Sequence, residues 1–386
     1  MVKPEPVELE GRRDRGTGGS SRGGDIVIVG AGPGGCAAAL RLARLGHRVE
    51  LFEQARFPRN KVCGGCLSGD AVEELETLLV PGRGFIFSLP GTPVQSIEFI
   101  IGSRRIRTSP RNRCRIIPRD LLDSTLADAA SAAGTRLRFG EKARLITSDD
   151  GMSRIEISDR VVTPRWILWA AGLAHVPASF KHRSRKSSAM VGQAWSIRPN
   201  AVCPPMGHIA LHWLHGGYVG LATVDTDRCL IALAARTTSL AGQKPWDALK
   251  NLNPRSPLLE PVALIPPSGA LAISSFPYRP RSLGRGNLLM IGDAAGFEEP
   301  FSGEGIGQAL RSAREAVDAI LNENSYDAAQ RHYATAMAAH RRIRRRTRWL
   351  AAALRSPVAN LVLNRAIGPA PWLDRLLNHV HVKGTA

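Results

Sequence analysis

The sequence predicts a mixed α/β fold in which a discontinuous, doubly wound parallel sheet carries an inserted antiparallel β sheet and ends in helices. Three observations predict it. A strand, a glycine turn, a helix and a second strand follow one another over Asp25 to Glu53; a second glycine turn recurs far downstream, over Arg285 to Ile320; and the stretch from Met190 to about Ser274 between them is rich in β patterns.

In Asp25 to Glu53, DIVIVGAGPGGCAAALRLARLGHRVELFE, the run Asp25 to Val29 is a short apolar strand. Gly30, Gly32 and Gly35 follow at G-x-G-x-x-G spacing and open an alanine-rich helix over Cys36 to Leu45. Gly46 is a natural helix stop, and Arg48 to Phe52 returns as the second strand, closed by Glu53. At this spacing Gly30 permits the tight turn, Gly32 lets a pyrophosphate approach the backbone, and Gly35 lets helix and strand pack closely. A helix N-terminus offers unpaired N–H groups and a positive dipole end, which favour phosphate. A carboxylate at Glu53 accepts hydrogen bonds from ribose hydroxyls and repels a 2′-phosphate. FAD or NAD therefore fits this unit and NADP does not, and the fold is of the Rossmann type.

Farther along, a loop over Gln54 to Gly69 leads to a helix from about Asp70 to Leu79, and Val94 to Ile101 pairs with Arg104 to Thr108 around Gly102 and Ser103. Asp120 to Ala133 reads as an amphipathic helix. The strand signals at Arg136 to Phe139, Lys142 to Thr147, Arg154 to Ser158 and Trp166 to Trp169 are expected to return to the first sheet. Gly192 to Arg198, His208 to Leu214, Tyr218 to Val224 and Cys229 to Ala235 form the β insert. Asn287 to Ile291 is a buried strand, Gly305 to Leu321 a helix, and basic amphipathic helices follow from Tyr326.

The composition narrows the class. With 386 residues, 44% of them hydrophobic and 22% charged, the chain is long enough for two substructures around substantial cores. Only residues 1–24, rich in Gly, Ser, Arg and Glu, read as a disordered tail without a secretory core. No apolar run reaches membrane-spanning length, so a cytoplasmic location is expected. The six cysteines are scattered as in a reduced protein, and Cys63-Gly64-Gly65-Cys66 lacks a second ligand pair, so no metal is expected. The net charge of +19 comes largely from arginines spread along the chain. Its densest run, His340 to Arg348, is either a solvated basic face or, across 340–350, a peripheral contact with acidic lipid headgroups. No recognition module accompanies the charge, so no nucleic-acid partner is expected.

The segment RGNLLMIGDAAGFEEPFSGEGIGQALRSAREAVDAI, Arg285 to Ile320, ends a strand in Gly292-Asp293 and opens a helix after a second glycine turn. Together with Asp25 to Glu53 it resembles the group A flavoprotein monooxygenase superfamily, and within it the geranylgeranyl reductase-like branch, over nearly everything after residue 24. The resemblance implies FAD, with Asp293 on the ribityl chain and the turn Pro300 to Gly305, including Gly303 and Gly305, around the flavin ring. A helix starting near Gly305 aims its positive end where negative charge gathers on flavin reduction. Pro58-x-x-Lys61-x-Cys63-Gly64 is similar to the loop after the ribose carboxylate, and Arg119 to the family arginine before a helix. In that light Arg59, Lys61 and Arg119 neutralise pyrophosphate; read alone they are surface basic residues. Cys63 stands where reductase-like relatives hold a cysteine near the flavin, so it is a catalytic candidate beside the simpler reading of a structural thiol. A Cys63–Cys66 disulfide that exchanges electrons with flavin is a third reading.

The departures from the family shape the expected chemistry. Aromatic hydroxylases carry an Asp-Gly pair where this chain reads Trp169-Ala170-Ala171-Gly172-Leu173, and the tryptophan-pair motif of flavin halogenases is missing. Family geometry sets His208, His212, Trp213, His215 and Tyr218 over the flavin, with His212 and Tyr218 as candidates to orient substrate or move a proton, or as packing residues. The resemblance thus implies an FAD-dependent oxidoreductase acting on an apolar, isoprenoid- or polyketide-like small molecule, by double-bond reduction or oxygen-dependent hydroxylation. NADH or NADPH would be a transient electron donor. The alternative is a flavin-loaded electron carrier or membrane-surface binding protein. The expected division is an FAD domain of 25–84, 109–188 and 276–325, a β subdomain of 85–108 and 189–275, and a basic extension over 326–386.

Overall fold

The computed structural model describes residues 26–79, 89–101, 104–110, 113–147, 151–181, 190–197, 203–214, 216–240, 271–276, 278–297, 300 and 303–354. Of 104, 147, 190–197, 214, 240, 271–276 and 341–354 it describes the backbone alone. The expected tail over 1–24, Asp25, His215, the Gly102-Ser103 turn and 355–386 lie outside the described residues.

Two sheets frame the molecule. The first has six strands in the order Gly284–Arg285, Leu288–Met290, Trp166–Trp169, Ile26–Val29, Val49–Glu53 and Arg136–Phe139. All neighbours are parallel except the short Gly284–Arg285. Ile26–Val29, Val49–Glu53 and Trp166–Trp169 are buried at every residue, which is why they read as continuous apolar runs: a parallel sheet is covered on both faces. The coverings are helices. α1 spans Pro33–Arg44, α2 Gly69–Leu79 and α3 Arg119–Ala132, while α4, Gly305–Asn322, packs along α1. α1 begins at Pro33 and not at Cys36, because proline's fixed φ and missing N–H suit the first helical position.

The last helix, α5, spans Tyr326–Leu354 and so contains the run His340 to Arg348. Its fully buried Tyr333 donates a hydrogen bond from its hydroxyl to the Met290 carbonyl at 2.7 Å, and Tyr326 meets Trp166 edge-on at 4.7 Å. These contacts fix the helix to the sheet.

The second sheet has seven strands in the order Leu271–Phe276, Met190–Ile197, Cys229–Arg236, Gly217–Thr223, His208–Leu214, Ser96–Ile101 and Arg104–Thr108. It departs from the expected antiparallel insert at one seam, where His208–Leu214 runs parallel to Ser96–Ile101. Strands distant in sequence meet there, and only neighbours joined by a hairpin are bound to be antiparallel. Ile97, Phe99, Ile101, Ile116, Ile209 and Trp213 form its core, separate from that of the six-stranded sheet.

One expectation is corrected. Only Arg136–Phe139 and Trp166–Trp169 return to the first sheet; Ala143–Thr147, Ser153–Ile157 and Arg160–Val162 make an antiparallel sheet of their own. Ser153–Ile157 alternates buried and partly exposed residues, a pattern that suits one wet face and not a sheet covered on both. Buried Asn287 ties it to the larger sheet: its amide donates to the Ser153 and Pro164 carbonyls at 3.1 and 3.0 Å and accepts from the Ser153 N–H at 2.8 Å.

Candidate cofactor and substrate site

The first glycine turn is dictated by close approach. Gly30 has φ of +101°, and a side chain there would meet the Ala170 carbonyl oxygen at 2.5 Å; at Gly35 it would lie 1.9 Å from the Gly30 oxygen. Gly32 differs. A Cβ there would make only ordinary van der Waals contact, with Arg119 Nη2 at 3.8 Å and Arg59 Nη2 at 4.0 Å, and Gly32 borders both cavities of the site. Gly32 is also the N-cap of α1, makes no side-chain cap and precedes Pro33, so the first N–H groups of the helix are left for an anion. Glu53, almost fully buried at the end of its strand, accepts the Ala31 and Ala55 N–H groups at 2.9 and 3.0 Å.

Three basic residues converge on this turn. Arg59 pairs with Glu53 at 3.4 Å and with Asp123 at 3.0 Å, while Arg119, buried at the head of α3, makes a two-pronged contact with Asp123 at 2.9 and 2.8 Å. Asp123 raises the pKa of the Arg119 guanidinium against the opposing effect of burial. Lys61 is enclosed near Asp293, beside Gly172. Burial lowers its pKa, with Asp293 opposing. The glycines at 30 and 32, Glu53, Arg59, Lys61 and Asp293 border one open cleft of about 810 Å³.

At the far end of that cleft, Gly32, Lys61, Gly172 and Asp293 also border a second cavity of about 180 Å³. Cys63, Arg119, Tyr218, Gly303 and Gly305 line it, and α4 starts there. Two α4 side chains hold the second glycine turn in place: Gln308 Nε2 donates to the Gly296 carbonyl at 2.9 Å, and Ser312 Oγ accepts the Gly292 N–H at 2.8 Å. The opposite wall is the seven-stranded sheet, through Ile97, Ile209, Leu211, Ala232 and Ala234. Tyr218 is buried in this wall and stacked on Trp213 at 5.1 Å. Cys63 Sγ accepts the Gly65 N–H at 3.3 Å. Cys66, whose sulfur crowds Gly303, has its thiol pKa raised by burial, and both cysteines are free thiols.

His212 is not brought to the site. Ile209 and Leu211 face the cavity, so strand alternation turns His212 to the opposite side of the sheet. There its neighbours are Arg105 and Glu98, and burial, aided by Arg105, lowers its pKa to about 4. His208 is engaged elsewhere, with Nδ1 2.7 Å from Ser96 Oγ. Conversely, Asp123, Gln308 and Ser312 escaped the sequence reading. Asp123 carried a signal, an arginine and an aspartate one helical turn apart; the other two look like ordinary helix residues.

A long dinucleotide with a flat ring at one end fits this arrangement. The cleft border at Gly32, beside two guanidinium groups, suits a pyrophosphate, and Arg59 Nε is buried with no hydrogen-bond partner in the protein. Residues 25–178 match the family model described as FAD dependent oxidoreductase. The chain is 26% identical over 370 residues to menaquinone reductase of Mycolicibacterium smegmatis, covering 83% of each chain. It is 24% identical to digeranylgeranylglycerophospholipid reductase of Methanocella arvoryzae over 77% of each. Among solved structures, a flavoprotein/dehydrogenase from Cytophaga hutchinsonii superposes with a TM-score of 0.76 over 93% of this chain and 92% of that one, at 17% identity. Fold and site together are those of an FAD-dependent oxidoreductase. Within that class the chain is similar to menaquinone and geranylgeranyl-lipid reductases and, in fold, to a geranylgeranyl reductase-like flavoprotein. Among the described residues, no helix is long and apolar enough to cross a membrane, and no group of side chains is arranged to hold a metal.

Proposed function

We propose that this oxidoreductase reduces a carbon–carbon double bond of an apolar, isoprenoid-like substrate, with NADH or NADPH as the electron donor. The observation that carries the reading is the apolar sheet wall facing the second glycine turn, with two free thiols, those of Cys63 and Cys66, in the cavity lining. The similarity to two reductases named for menaquinone and for a geranylgeranyl lipid supports it, as does the absence of an acidic residue from Trp169-Ala170-Ala171-Gly172.

In this reading Glu53 binds the ribose hydroxyls of FAD, Arg59 and Arg119 with the α1 N-terminus bind its pyrophosphate, and Asp293 holds its ribityl chain. Lys61 adds positive charge between the two cavities. When bound, FAD supplies the hydride chemistry at its ring. Reduction adds a hydride to one carbon and a proton to its neighbour while the nicotinamide is oxidised. Cys63 holds that proton at Sγ, and the Gly65 N–H orients the sulfur. The Ile and Leu wall excludes water and aligns the chain of the substrate.

The test is anaerobic mixing with NADH or NADPH, with and without a polyprenyl or prenylquinone substrate, following flavin absorbance and product mass. Anaerobic gain of two hydrogens is the expected result. Substrate-coupled oxygen consumption would replace it with hydroxylation, and rapid electron exchange without product would replace it with electron carriage. Cys63→Ala should lower kcat about 100-fold, within the range for losing one general acid, with FAD content unchanged.

A further inference from the structure

The phosphate end holds a side chain that the glycine motif and the arginines do not account for. Asp123 lies on α3 one turn beyond Arg119 and is fully buried. Arg119 donates from Nε to Oδ1 at 2.9 Å and from Nη2 to Oδ2 at 2.8 Å, and Arg59 donates from Nη1 to Oδ2 at 3.0 Å. The two arginines come from different elements, one from the loop after the second strand and one from α3. Among the described residues, Asp123 is the carboxylate that pairs with both.

We propose that Asp123 is a positioning residue for the cofactor's pyrophosphate: it locks two guanidinium groups so that their Nη2 atoms lie against Gly32 at the border of the cleft. The inference rests on the reading that FAD occupies this cleft. By charge alone, a carboxylate buried beside an anion site works against binding, since like charges repel more strongly where water is excluded. Orientation acts in the other direction. Two unpaired arginines this close repel each other, and free rotation of long side chains must be given up when a ligand is clamped. A side-on carboxylate removes that freedom before the ligand arrives and leaves Arg59 Nε without a protein partner.

Because the two effects have opposite signs, the direction of the change decides between them. Apoprotein carrying Asp123→Asn is titrated with FAD by flavin fluorescence, and with ADP and riboflavin as probes with and without a pyrophosphate. At least ten-fold weaker binding of FAD and ADP by the folded variant is expected, with riboflavin affinity close to the parent's and a lowered apoprotein unfolding temperature from the uncompensated arginines. Unchanged or tighter FAD binding overturns the proposal, as does an equal loss for all three probes. Asp123→Glu keeps the charge but moves the carboxylate outward by one methylene, so it should also weaken FAD and ADP; if it binds them as the parent does, orientation is not the cause. Should the Asn variant not fold, the Glu variant decides alone. A parent apoprotein that binds none of the three probes refutes the reading of the cleft and not the role of Asp123.

Discussion

At the first glycine turn the surroundings are charged: Glu53, Arg59 and Lys61 border a cleft of about 810 Å³, and buried Asp123 pairs Arg59 with Arg119 behind the turn. At the second, the facing wall is Ile97, Ile209, Leu211, Ala232 and Ala234, and the cavity measures about 180 Å³. Both turns open a helix whose N-terminus points at the site, α1 in the first case and α4 in the second. The difference lies in what faces the helix. Charged partners select a phosphate and hold it by polar contacts. An apolar wall selects by shape and dryness and leaves the electronic work to the helix end and the bound ring.

The sharpest way to break this comparison is within the first turn itself. Gly35→Ala places a methyl 1.9 Å from the Gly30 oxygen, so it should destabilise the fold by about 3 kcal/mol, measured by chemical denaturation. Gly32→Val stands three residues away and has no protein atom closer than 3.8 Å to its Cβ position, so the apoprotein should keep its stability. Its side chain would instead fill the phosphate space and weaken FAD binding about 100-fold, equivalent to about 2.7 kcal/mol. Equal effects of the two substitutions on stability would mean that the turn is not built as described.

At the second turn a smaller change is expected. Asp293→Ala removes one charged acceptor at the border of the two cavities and should cost about ten-fold in FAD affinity, about 1.4 kcal/mol, with the apoprotein unfolding as the parent does. The smallest effect lies farther along α4. The Glu315 carboxyl has its pKa lowered to about 2, first by the hydrogen bond with His340 of α5 and also by Arg314, against burial. A depressed carboxyl pKa adds stability above its ordinary value near 4.5 that is lost as the pH falls through the folded one. The melting temperature of Glu315→Gln should therefore lie below the parent's near pH 5, and the gap should narrow between pH 4.5 and 2. A gap that persists undiminished at pH 2 would exclude this linkage.

The two turns were not equally legible. The first is a local object: three glycines at fixed spacing, a helix start and a carboxylate at a strand end follow from residues within Asp25 to Glu53. The second was visible as a turn, but its wall comes from strands whose faces depend on register. His212 shows the consequence: the identity of the strand His208–Leu214 was readable, but which of its alternating sides meets the cavity is fixed by pairing with Gly217–Thr223 and Ser96–Ile101. Asp123 escaped for a related reason. Its role exists only because a loop around Arg59 folds onto α3, a meeting that helix periodicity does not encode. The small sheet of Ala143–Thr147, Ser153–Ile157 and Arg160–Val162 was mistaken for part of the larger one because short strands carry no mark of their partners.

The parallel seam between His208–Leu214 and Ser96–Ile101 has a consequence for engineering. The seven-stranded sheet is stitched from two stretches of chain on either side of α3 and the small sheet, so no single contiguous cut lifts it out whole. A chimera that borrows a relative's substrate wall must exchange both stretches together. Exchanging only the later one would leave the donor's strand zipped against a stranger along six residue pairs, and a misfit there would be felt directly at the sheet wall of the smaller cavity.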